Sequence, residues 1–207
     1  QIMLLNKESI NHFSNPITNI VFMGMGEPLL NYKNVTESID HIASDFGIGI
    51  SYKKITLSTS GISKMIKKMA DDNVKFHLAI SLHTALEKTR NKVMPFSTSF
   101  PLKELVDSLD YWYRKTKRKI TFEYLIWKGI NDDFDHINAL VSICKRIPSK
   151  INIIEYNDTD NSTFQNADDR WINNYVTTLK ENKIPVSVRR SRGKDIDAAC
   201  GQLANKY

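Results

Sequence analysis

The chain has 207 residues, of which 41% are apolar and 25% charged, and carries a formal charge of +6. That balance excludes a disordered polymer and is that of a soluble globular protein long enough to bury a core without disulfides or metals. No apolar run approaches the roughly 20 residues of a membrane span, and the positive charge suits an anionic partner without demanding one.

From the amino end, short β-rich runs alternate with helical patterns. The expected strands are residues 19–23, 54–58, 75–81, 119–127, 150–156 and 185–190. Most are continuous apolar runs, as in parallel strands buried on both faces. Between them, apolar residues recur at helical spacing. Val35, Ile39, Ile42 and Phe46 share a face, as do Ile62, Met65, Ile66 and Met69. Leu102, Leu105, Val106 and Leu109 form a third stripe. Ile137, Leu140, Val141, Cys144 and Ile147 form a fourth, and Trp171, Ile172, Tyr175, Val176 and Leu179 a fifth. Each unit has the size of a βαβ element. An open doubly wound sheet and a partial barrel both fit, and both place ligands at the carboxyl ends of the strands. Residues 157–166 are polar and turn-rich and read as an exposed loop. The whole of 1–207 reads as one domain.

The strand ends carry small and polar residues. Gly24-Met-Gly-Glu27 follows the first strand, but Leu29 stands where a dinucleotide fingerprint needs its third glycine, so the pattern argues against an oxidoreductase of that kind. Two glycines instead let a ligand lie against the backbone, and Glu27 offers a carboxylate to an ammonium. The next strands end in Ser58-Thr-Ser-Gly61 and Ser81-Leu82-His83, and the fifth ends at Asn157. No spacing of His, Cys and Asp resembles a metal site, and no metal ligands are expected. Of two basic clusters, Arg114-Lys-Thr-Lys-Arg-Lys119 reads as a solvated face. Arg189-Arg-Ser-Arg-Gly-Lys194 closes a strand on the ligand side and suits phosphates.

The two cysteines differ. Cys144 lies on an apolar helical stripe and is expected to be inert. Cys200 sits among Ala198, Ala199 and Gly201, downstream of basic residues that favour a thiolate, and is the candidate nucleophile. Two thiols pair once at most, so a reducing cytoplasm is expected. No signal peptide is visible, and an opening Gln1 points to a fragment or a processed chain.

Together these strings resemble the RlmN-type radical S-adenosylmethionine RNA methyltransferases, which methylate C2 of adenine in 23S rRNA and tRNA. The matching segments begin with Val21-Phe-Met-Gly-Met-Gly-Glu-Pro-Leu-Leu-Asn31, Thr56-Leu-Ser-Thr-Ser-Gly61 and Ala79-Ile-Ser-Leu-His83. They continue through Val93-Met-Pro95, Glu123-Tyr124, Gly129-Ile-Asn-Asp132 and Ile151-Asn-Ile-Ile-Glu-Tyr-Asn157. They end in Arg192-Gly-Lys-Asp-Ile-Asp-Ala-Ala-Cys-Gly-Gln-Leu203.

The resemblance implies a radical-S-adenosylmethionine partial TIM-like barrel with its first strand missing. It implies cofactor contacts at Gly26, Glu27, Ser58, Ser81, Leu82, His83 and Asn157. It makes Cys200 the residue that takes a methyl from one S-adenosylmethionine before a second supplies the radical that carries this carbon to C2. Its partners would be 23S rRNA, tRNA and a reductant such as flavodoxin, with the enzyme a monomer. Related C8 methyltransferases and a cluster-free RNA-binding relative are the alternatives, and Pro28 after Glu27 favours the C2 enzymes. The family's Cys-x3-Cys-x2-Cys for a [4Fe-4S] cluster is absent, and two cysteines cannot form it. The chain is therefore expected to be inactive alone.

Overall fold

The computed structural model describes residues 1–157 and 164–191. It contains a six-stranded sheet in the order β1-β2-β3-β4-β5-β6. The strands are β1 (Ile20–Phe22), β2 (Ile55–Thr59), β3 (His77–Ser81), β4 (Ile120–Leu125), β5 (Ser149–Ile154) and β6 (Val186–Arg189). Every neighbouring pair is parallel. All six expected strands are present, most of them shorter than the runs that predicted them.

The strand order decides between the two architectures left open above. A doubly wound sheet reverses its order at a switch point. Here each strand pairs with the next in sequence, as in a β/α barrel. Six strands are fewer than the eight of a closed barrel, and β1 and β6 are the sheet's two edges. The fold is a partial barrel.

The helices are α1 (Ile2–Phe13), α2 (Tyr32–Ala43), α3 (Ser63–Asp71), α4 (Glu87–Val93), α5 (Leu102–Thr116), α6 (Phe134–Arg146) and α7 (Asp169–Glu181). Five follow the expected stripes. Ile39 and Ile42 of α2, Ile66 and Met69 of α3, and Leu105 and Leu109 of α5 belong to one core cluster. Leu140 of α6 and Tyr175 and Leu179 of α7 join the same cluster. Phe46 does not: it lies beyond α2 and is 88% exposed. The expected stripe thus ends one turn early, because Ser44 leaves helical geometry with φ −75° and ψ 165°. Two helices were not expected. No residue of α1 is buried, so it has no apolar stripe to read, and α4 spans only seven residues.

The two faces of the sheet differ. In β4, Ile120, Phe122 and Tyr124 are in the core cluster, whereas Glu123 and Leu125 line the opposite, concave side. The register aligns Ser81 with Glu123, Glu123 with Asn152, and Asn152 with Ser187. A polar row therefore crosses four strands where a closed barrel packs bulky branched side chains. The continuous runs in the sequence concealed an alternation of apolar and polar residues.

Candidate functional site

The concave face opens into a cleft of about 1640 Å³ at the carboxyl ends of the strands. Small-molecule sites usually occupy about 300–1,000 Å³, so the cleft has room for more than one cofactor-sized group. Its walls include Gly24, Gly26, Glu27, Ser58, Ser81, His83 and Asn157. Six of the seven expected cofactor contacts thus meet in one place. The seventh, Leu82, is 1% exposed and belongs to the core cluster. Its N–H donates to the carbonyls of Ile80 and Glu123. Cys200 lies outside the described residues.

The β1–α2 turn is open where a ligand would need it. A Cβ built on Gly24 or on Gly26 meets no atom within 4 Å, and Gly26 adopts φ +83°, which favours glycine. Glu27 is held firmly. Its Oε1 accepts from the Leu29 N–H at 3.0 Å and the Thr59 hydroxyl at 2.7 Å. Its Oε2 accepts from the N–H of Ser60 at 2.8 Å and the hydroxyl of Ser60 at 2.6 Å. The carboxylate caps a short 3-10 turn (Pro28–Asn31) and ties it to the end of β2. Ser60 is fixed from behind by Arg90, a fully buried guanidinium that donates to its carbonyl at 2.6 Å.

His83, two residues beyond the end of β3, adopts a left-handed conformation, φ 57°, that non-glycine residues seldom adopt. Asn131 holds it there. This fully buried side chain donates to the carbonyls of His83 at 2.9 Å and Leu125 at 2.8 Å. It also accepts from the Trp127 N–H at 2.7 Å, and its own carbonyl accepts from the Tyr175 hydroxyl at 2.6 Å. One residue thus joins the ends of β3 and β4, through its side-chain amide, to α7, through its main-chain carbonyl. Burial, with a smaller contribution from the charge of Arg90, pushes the His83 pKa down to about 4. The ring is neutral at pH 7, and its Nδ1 is buried without a hydrogen-bond partner.

On the far wall, His83, Tyr156 and Phe164 each pack a ring against Trp127, at centroid distances of 5.9, 6.3 and 5.5 Å. An antiparallel bridge joins Trp127 to Asn166. The exposed-loop reading of residues 157–166 holds at Gln165 and Asn166, which are exposed, and is corrected at two other described positions. Asn157 is buried, and Phe164 is half-buried because its ring packs on Trp127. Arg189, Arg190 and Ser191 line the cleft beside β6, and Arg190 approaches Asp169 at 3.5 Å and Glu155 at 4.0 Å.

The first basic cluster is a solvated face, as expected: Arg114, Lys115, Lys117 and Lys119 are exposed and Arg118 is half-buried. Arg114 pairs with Asp110 and Lys115 with Asp71, and Arg118 lies 5.4 Å from the Trp112 ring. Cys144 is buried and its thiol is pushed up to about 11, which makes it inert as a ligand or nucleophile.

S-adenosylmethionine fits what the cleft offers: open glycine backbone, a carboxylate at one end, and serine, histidine and asparagine along the floor. A [4Fe-4S] cluster does not fit this chain. Two thiols cannot supply its ligands, and among the described residues no group of His, Cys, Asp and Glu could hold a metal ion. No helix among the described residues is long and apolar enough to cross a membrane.

No family model matches the chain. Curated proteins do. Over 206 residues the chain is 60% identical to a probable dual-specificity RNA methyltransferase RlmN of Flavobacterium psychrophilum, covering all of this chain and 59% of that protein. It is a relative of the RlmN-type RNA methyltransferases. Likenamed proteins of Salinibacter ruber and Clostridium botulinum are 42% and 41% identical, again over all of this chain. The chain spans 56% and 59% of their lengths. Among solved structures, a radical SAM methyltransferase from Sphaerobacter thermophilus superposes with a TM-score of 0.91 at 32% identity, covering 96% of this chain and 58% of that one. Streptococcus suis SuiB, solved bound to S-adenosylmethionine, shares the fold at a TM-score of 0.65 and 16% identity, over 91% of this chain and 42% of that chain.

Sequence reasoning missed two residues of the site. Asn131 lay inside a matched string without a role, and Glu123 was quoted only as part of a motif. The signal for Glu123 was a carboxylate in the middle of an apolar strand, a place charged residues almost never occupy without purpose.

Proposed function

We propose that this chain forms the S-adenosylmethionine-binding and methyl-accepting part of an enzyme that methylates C2 of adenine in 23S rRNA and tRNA. The observation that supports it most is the convergence of Gly26, Glu27, Ser58, Ser81, His83 and Asn157 on one cleft, in a chain 60% identical to an RlmN-named relative. In this reading Gly26 and Glu27 face the methionine end of the ligand, with the ammonium sharing a carboxylate that the chain already orients. Ser58, Ser81, His83 and Asn157 face the remainder. The backbone of Leu82 acts by fixing the turn.

Cys200 acts as nucleophile. Its thiolate attacks the methyl carbon of the sulfonium, an S–CH3 bond forms, the methyl–sulfonium bond breaks, and S-adenosylhomocysteine leaves. The thiol proton passes to solvent. Carrying that methyl to C2 draws on chemistry this chain's residues do not supply. Arg189 and Arg190 supply phosphate contacts for RNA. A monomer in the cytoplasm, served by a flavodoxin-like reductant, belongs to the same reading.

The test is a chimera in which this chain replaces the matching segment of the Flavobacterium psychrophilum relative. The chimera, reconstituted with iron and sulfide, methylates 23S rRNA at C2, and Cys200→Ala within it does not. A folded chimera that methylates C8 instead, or one whose Cys200→Ala variant keeps full activity, sinks the proposal.

A further inference from the structure

The cleft holds a second carboxylate with no assigned part. Glu123 is 4% exposed and stands at the centre of the polar row on the concave face. Its Oε1 accepts from the Asn152 Nδ2 at 2.8 Å. The Glu123 carboxylate, which only accepts, holds the Asn152 amide with its Nδ2 inward, and the Asn152 Oδ1 then accepts from the Ser187 hydroxyl at 2.7 Å. The three side chains form a directed relay, Ser187 to Asn152 to Glu123, that spends one carboxylate oxygen and leaves Oε2 with no hydrogen-bond partner among the described residues. Oε2 is also absent from the atoms that are both buried and unpartnered, so it is open to the cleft. The main chain of Glu123 is occupied separately: its carbonyl accepts from the N–H groups of Leu82 and His83.

A desolvated carboxylate is a costly thing to place on a strand unless something repays it. The nearest lateral neighbour on one side is Ser81, its register partner in β3. If the methionine end of the ligand lies at Glu27 beside β1 and β2, its nucleoside extends across β3, β4 and β5, over Glu123. The donors a nucleoside offers there are its ribose hydroxyls and its exocyclic amine. We infer that Glu123 is a specificity residue of the S-adenosylmethionine site, its Oε2 accepting a hydrogen bond from a donor of the bound adenosyl group, with Asn152 and Ser187 as positioning residues. The inference rests on the proposed function above.

The relay makes the test sharp. In Glu123→Leu the acceptor is gone whichever way the Asn152 amide turns. Glu123→Gln combined with Asn152→Asp restores it: the aspartate accepts from both Ser187 and the glutamine amino group, and the glutamine carbonyl faces the cleft. S-adenosylhomocysteine, which is chemically stable, is titrated into the 207-residue chain by calorimetry. Glu123→Leu weakens binding by about tenfold, the worth of one hydrogen bond to a charged group. The double variant regains most of that loss, which a merely structural role would not produce.

Two analogues locate the donor. S-inosylhomocysteine lacks the exocyclic amine, and a 2′,3′-dideoxy analogue lacks the hydroxyls. The analogue missing the partner of Oε2 is insensitive to Glu123→Leu, whereas the other keeps the tenfold effect. An unsubstituted chain that does not bind S-adenosylhomocysteine sinks the proposed function and this inference with it. Binding that Glu123→Leu leaves unchanged, or a loss that the double variant does not recover, overturns this inference alone.

Discussion

Glu27 and Glu123 share one cleft and have opposite surroundings. Glu27 is half-buried and accepts four hydrogen bonds from its own chain, two of them from main-chain N–H groups. Glu123 is buried and accepts one. The first carboxylate is oriented by its own chain: it pins a loop to a strand end so that open glycine backbone faces the cleft, and a ligand ammonium has to share it. The second is held by a relay that leaves one oxygen unengaged. Two carboxylates of one ligand site thus differ in how much of each is left for the ligand.

The contrast is broken or sharpened first by Glu27→Ala. Four donors lose their acceptor, and the N–H groups of Leu29 and Ser60 are left without a partner inside the protein. Unfolding in urea shows a loss of about 3 kcal/mol. A loss below about 0.5 kcal/mol places Glu27 among surface carboxylates and ends the comparison.

Next comes Glu123→Gln, whose effect on stability is under about 1 kcal/mol at neutral pH because the bond from Asn152 survives. Its signature is in pH. Burial raises the Glu123 pKa above its ordinary value of 4.5, partly offset by the Asn152 bond and by Arg189 and Lys150. The folded chain then holds a proton that the unfolded chain has released, so this group costs stability as pH rises from about 4.5 through its folded value. The difference in urea midpoint between variant and parent grows over that window in favour of the variant. A constant difference refutes the raised pKa.

Last comes His83, whose effect is confined to acid. Its folded pKa of about 4 lies below the ordinary 6.5. The unfolded chain binds the extra proton, so stability present above 6.5 is lost as pH falls toward 4. His83→Asn keeps the left-handed backbone that asparagine tolerates and removes this slope. The parent's midpoint then falls relative to the variant's between pH 6.5 and 4. The Glu123 and His83 slopes oppose each other above 4.5, so each is read only against its own variant.

Much of this was legible in the sequence for definite reasons. The strands showed as runs of Ile, Leu and Phe because one face of each packs under helices, and the turn at Gly24–Glu27 showed because only glycine leaves such backbone bare. The cleft face was harder to read. Ser58 and Ser81 stand at strand ends and could be read there, but Glu123 and Asn152 sit inside short strands, where apolar neighbours dominate any window. Helix α1 left no trace because none of its residues is fully buried and Ile2 alone of its apolar side chains packs, partly buried, against the core. The role of Asn131 was invisible for another reason: its four partners come from positions 83, 125, 127 and 175, which only the fold brings together.

The unbroken strand order has a consequence for how the chain is made. Each strand finds its partner in the next βα unit, never across the length of the chain. Loop closure between neighbours is entropically inexpensive, and mostly local pairing favours rapid folding. Such a ribbon can grow one unit at a time as it leaves the ribosome, each new strand docking on an edge already in place. Its folding energetics resemble those of a repeat array, in which nearest-neighbour interfaces carry the cooperativity. Destabilising one interior strand, β3 for example, is then expected to divide the sheet into two parts that melt separately.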